Sequence, residues 1–123
     1  MNKKQSQENL NSVSYNNNVV YSIISLATKE IGGIASMNAG LSFAKKLFGG
    51  KFFKGVRLEY DKNRLFIDVF VNVYFGYSVN DISYKVQENI KKSVESMTEF
   101  KVDSVNVHVV GVIFDEEQEA AVI

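Results

Sequence analysis

Residues 78–114, SVNDISYKVQENIKKSVESMTEFKVDSVNVHVVGVIF, decide the fold, because within them one hydrophobic period gives way to another. Val79, Ile82, Val86, Ile90, Val94 and Met97 stand three or four residues apart and so fall on one stripe of a 3.6-residue helix. Ser78 is placed to cap the first turn, and Asp81 to reach back to it as in a capping box. The opposite face carries Lys85, Glu88, Lys91, Lys92 and Glu95. There Asp81 with Lys85, Glu88 with Lys92 and Lys91 with Glu95 have i,i+4 spacing. Beyond Thr98–Lys101 the period drops to two, and Val105, Val107 and Val109 alternate with Asn106, His108 and Val110. A core helix runs directly into a long strand.

Working outward, Gly76 closes the strand before this helix. Val56, Leu58 and Tyr60 alternate with Arg57 and Glu59, Asp61–Asn63 supply a turn, and Leu65, Ile67, Val69, Val71 and Val73 alternate with Phe66, Asp68, Phe70 and Asn72. This is a β-hairpin. Phe66, Phe70 and Tyr74 make the second face of its long strand partly apolar, which predicts cover by a short helix or by another subunit and marks the three as a candidate oligomer face.

Further upstream, Val19–Ile31 predicts a second core helix. Val19, Val20, Ile23, Ile24, Ala27 and Ile31 form its apolar arc, with Ser22, Ser25, Thr28 and Lys29 outside, Asn18 as cap and Gly32-Gly33 as stop. Ile34–Met37 reads as a connector, Gly40–Phe48 as a brief helix and Ser12–Tyr15 as a short strand. The elements predict an α+β fold, a small mixed β-sheet with two long helices packed on one face. A ferredoxin-like split βαβ arrangement is one outcome, and the strand order stays open. Residues 1–13 are expected to be a mobile tail, 14–114 the domain and 115–123 an acidic tail.

A chain of 123 residues is one domain with length enough for a core. It has no cysteine, which removes disulfides, thiolate catalysis and Cys-ligated zinc. Net charge is zero, so overall charge draws it neither to nucleic acid nor to lipid. No apolar run has spanning length, and the polar start Asn2–Asn9 lacks a signal-like core, so the expected location is cytoplasmic.

Catalytic motifs fail one after another. His108 is the single histidine, and with no triad spacing around it the expected role is a packed or hydrogen-bonded strand residue. The carboxylates Asp61, Asp68, Asp81 and Asp103 each sit where a structural task suffices, and Asp115–Glu119 reads as a solvated acidic run. Gly49-Gly50-Lys51 misses the phosphate-loop pattern at Lys45 and Phe52, and the long strand does not fit the aromatic pattern of RNA-binding sheets. The expectation is therefore no catalysis, no cofactor, no metal and no nucleic acid.

One asymmetry remains. No acidic residue lies between Glu30 and Glu59, while Lys45, Lys46, Lys51, Lys54 and Arg57 interleave with Phe43, Phe48, Phe52 and Phe53. Such a composition suits docking on an anionic membrane or an acidic protein, with Phe52 and Phe53 as apolar contacts. A solvated loop whose phenylalanines cap the core is the plainer alternative.

The hairpin residues Gly55-Val56-Arg57-Leu58, the strand end Val71-Asn72-Val73-Tyr74-Phe75-Gly76, the helix core Val86-Gln87-Glu88-Asn89-Ile90 and the closing run from Asp103 to Val112 together resemble the alkaline shock protein family of Gram-positive bacteria, especially its small YloU-like members. The likeness extends from Ser14 to Phe114. It implies a non-enzymatic, cytoplasmic protein linked to cell-envelope stress, acting as a scaffold or adaptor through protein–protein contact and self-association, in some members held at the membrane by an anchored partner. The alternative it implies is a small binding module regulating fatty-acid or acetyl-CoA metabolism. No catalytic residues carry over, and the resemblance lends no support to the basic segment.

Overall fold

A computed structural model describes residues 17–37 and 51–114. Helix α1 spans Asn17–Lys29, strand β1 Ile34–Met37, β2 Lys51–Phe53, β3 Val56–Asp61, β4 Arg64–Tyr74, helix α2 Val79–Met97 and β5 Lys101–Ile113. The fold is α+β, with the two helices over one face of a mixed sheet.

β4 is the hub of that sheet. One of its edges takes β5 in parallel along its whole length, from the Arg64–Lys101 pair to the Tyr74–Ile113 pair. The other edge is shared: β3 pairs antiparallel as far as Val69, and β1 continues beyond it on Val71–Val73. β2 then pairs with the far edge of β3. The parallel β4–β5 pair follows from the connection, since a strand that returns through a nineteen-residue helix re-enters in its original direction.

The period-two pattern of the hairpin falls on the buried face. Val56, Leu58, Leu65, Ile67, Val69, Val71 and Val73 are buried against Ile23, Ile24 and Ala27 of α1 and Ile82, Val86, Ile90 and Val94 of α2 in a single cluster. Each contributes about 1.5–3 kcal/mol of burial. The ends of the α2 stripe overrun the sheet, leaving Val79 and Met97 exposed. Ser78 caps α2 by accepting the Asp81 N–H at 3.3 Å.

Four sequence readings change. Ile34–Met37 is a strand, not a connector: Gly33 turns with φ +100°, its carbonyl accepts the Tyr74 N–H at 2.8 Å, and the chain is laid alongside β4. α1 begins at Asn17 and ends at Lys29, so Asn18 lies inside its first turn, where its carbonyl accepts from Ser22 Oγ. Thr28, expected outside, is buried because its hydroxyl is satisfied by the Ile24 carbonyl at 2.8 Å. None of the three i,i+4 pairs on α2 closes to ion-pair distance; Glu95 instead accepts the Val102 N–H at 2.9 Å. The expected short strand Ser12–Tyr15, brief helix Gly40–Phe48 and both terminal tails lie outside the described residues.

Candidate functional site

The sheet face turned away from the helices carries a polar cluster built by register alone. Arg57 on β3 stands opposite Asp68 on β4, and Asp68 opposite Asn106 on β5, with His108 two residues further along. Asp68 Oδ2 accepts from Arg57 Nη1 at 3.0 Å, while Oδ1 accepts from Asn106 Nδ2 at 3.2 Å and lies 2.9 Å from His108 Nε2. The carboxylate thereby selects the histidine tautomer that carries its hydrogen on Nε2. Arg57 Nη2 also reaches Glu59 at 3.4 Å. The Asp68 side chain is 8% exposed, so its charge depends on these donors. Phe70 stacks on the imidazole at 4.6 Å and 13°.

Alternation along the two strands puts Asn106 and His108 on one face of β5 and Asp68 on one face of β4, but it does not bring them together, since Asp68 lies 38 and 40 residues from the other two. Only the parallel register joins them. Chemically the cluster links three strands, and among the described residues no group of three metal-ligating side chains is close enough to hold an ion.

The residues singled out from the sequence separate. Arg57 is drawn into the Asp68 cluster, away from any basic surface. Lys54 sits in the β2–β3 turn at φ +50° with its Nζ 5.4 Å from the centre of the Phe53 ring, and Phe53 in turn packs on Tyr21 at 5.2 Å. Lys51 and Phe52 fall in β2, and Lys45 and Lys46 lie outside the described residues. Of the expected oligomer face, Phe70 is 2% exposed within the single chain, and Phe66 and Tyr74 are half-buried. A groove between α1 and the β2–β3 turn, about 310 Å³, is lined by Tyr21, Leu26, Lys29, Phe53 and Lys54 among others.

The apolar surface that the sequence did not reveal lies at the C-terminal end of β4 and β5. Phe75, Tyr77, Val112, Ile113 and Phe114 are all exposed there. Phe75 and Phe114 stack at 4.6 Å, and the Phe75 N–H donates to the Ile113 carbonyl at 2.9 Å. Isolated exposed apolar residues are ordinary, but a contiguous aromatic strip is an interaction surface by composition. Its signal in the sequence was the run Tyr74-Phe75-Gly76-Tyr77, where alternation stops but aromatics continue.

These features define the chain as a small α+β domain with an exposed apolar strip at one end of its sheet. It belongs to the alkaline shock protein family, described as having a cell envelope-related function, whose model matches residues 5–114, and this is the family expected from the closing strand. It is 32% identical over 103 residues to YqhY of Bacillus subtilis, covering 79% of this chain and 73% of that protein. It is 28% identical over 92 residues to YloU of the same organism, covering 75% and 71%. A stress response regulator gls24 homolog of Streptococcus pyogenes is 26% identical over 111 residues, 88% of this chain and 62% of that protein. Among solved structures, a doubly substituted MamM-CTD superposes with TM-score 0.55 at 13% identity over 76% of this chain and 92% of that one, a likeness of fold alone. Among the described residues no helix is long and apolar enough to cross a membrane.

Proposed function

We propose that this chain serves the envelope-related role of its family as a non-enzymatic scaffold or adaptor, working through protein–protein contacts that include association with its own kind. The observation that carries this reading is the exposed strip of Phe75, Tyr77, Val112, Ile113 and Phe114. Aromatic side chains bring large apolar area at low entropic cost, and they are enriched where proteins meet. Placement at the inner face of the membrane would then come through an anchored protein partner.

The test is sedimentation velocity on the full chain. Wild type sediments above its 13.8 kDa monomer mass, and a Phe75→Ser, Phe114→Ser double variant returns to it with unchanged circular dichroism, both rings being exposed. A wild type that stays monomeric at every concentration, while its melting temperature rises with acyl compounds, would replace this reading with the small-ligand one.

A further inference from the structure

β5 is an outer strand throughout, yet α2 guards only its first half. The Val102 N–H points away from β4 and is taken by Glu95 Oε2 at 2.9 Å. The Val105 carbonyl also points outward and accepts from Gln87 Nε2 at 3.1 Å. Backbone direction alternates along a strand, so Val107 and Val109 present their N–H and C=O groups to the same outer edge as Val105. The register shifts at Val110, after which the Ile113 carbonyl faces β4 and Val112 faces outward. Among the described residues, no side chain and no strand meets the outer backbone groups of Val107, Val109 and Val112. From Ser104 to Phe114 there is no Lys, Arg, Asp, Glu or Pro. Natural edge strands are blunted by charge, proline or cover, and beyond Gln87 this one has only the Val110 bulge.

We infer that residues 107–113 are the segment through which two copies of this chain pair, strand against strand and antiparallel, about a two-fold axis near Val110. An open row of backbone donors and acceptors selects a strand as its occupant. The absence of charge offers nothing to a charged peptide, and it lets an identical strand approach without like-charge contact. An antiparallel two-fold presents the same groups twice and confines the pairing to the half that Gln87 and Glu95 leave uncovered. The Phe75–Phe114 pair flanks this segment and adds apolar area beside it. The inference rests on the self-association reading above and names its geometry.

Three variants test it, measured by sedimentation across a concentration series. Val109→Pro deletes an outward N–H that takes no part in the β4 ladder. Val112→Lys sets a charge on the edge at a position that is 54% exposed, where the monomer tolerates it. Each raises the dimer dissociation constant about tenfold or more, the scale of one lost backbone hydrogen bond. Because the chain has no cysteine, Val110→Cys introduces a single thiol, which oxidises to a covalent dimer near the axis, whereas Tyr84→Cys on the exposed face of α2 does not. A dimer that Val112→Lys leaves unweakened and that Val110→Cys does not cross-link overturns the edge pairing while self-association stands. A wild type that is monomeric throughout overturns both.

Discussion

Asp68 has the most demanding position of any single residue, a nearly buried carboxylate with donors from two neighbouring strands. Asp68→Ala takes the buried acceptor away from the Arg57 guanidinium, itself 13% exposed, and is expected to cost about 3–5 kcal/mol in urea unfolding. His108→Gln removes the stack on Phe70 but keeps a side chain able to donate to Asp68, so its cost is about 1 kcal/mol. Gly33 is the second constrained position. A Cβ there would stand 2.6 Å from Ile82 Cδ1 at φ +100°, and Gly33→Ala should lose about 2 kcal/mol or more, with β1 detaching first. Gly111 follows the same logic more gently, since its Cβ would meet the Asn72 side-chain oxygen at 2.5 Å and push Asn72 off Ser36. The faces of these residues were legible from alternation. Their meetings were not, because a contact between Asp68 and His108 depends on how two distant strands are slid past each other.

At the scale of elements, the long periodic segments were readable and the short ones were not. α2, β3, β4 and β5 carry enough repeats for the period to show, so their faces follow from spacing. β1 has four residues, all half-buried, and its identity comes from the turn at Gly33 and the upper edge of β4. Glu95 illustrates the same limit. Its spacing from Lys91 suggested a surface pair, whereas its carboxylate secures the start of β5. Glu95→Ala is expected to speed amide exchange at Val102 at least tenfold while leaving the middle of β4 unchanged, as hydrogen-exchange mass spectrometry would show. Ser78→Ala should cost about 1 kcal/mol by removing the α2 cap.

Across the whole molecule, Tyr21 on α1 and Tyr60 on β3 report on alkaline stability. Burial raises the pKa of Tyr21 above its ordinary value, and burial together with the neighbouring Tyr21 phenol raises that of Tyr60. A raised folded-state pKa means that the neutral form is favoured by folding. The contribution is therefore fully present below the unfolded value of 10.0 and is lost as pH climbs through the folded-state values. Thermal unfolding followed from pH 8 to 11 should show melting temperature falling at the top of that range, less steeply in Tyr60→Phe, which has no phenol to ionise.

Every strand but β2 is hydrogen-bonded to β4, and the partner that covers one whole edge of it is the last to be made. During synthesis, then, β4 leaves the ribosome with that side bare and stays so until both α2 and Lys101–Ile113 have followed. A nascent chain stalled before Lys101 presents a long naked template to its neighbours on a polysome, and release of the final strand, not collapse of the early hairpin, is the step that makes the product safe from mispairing.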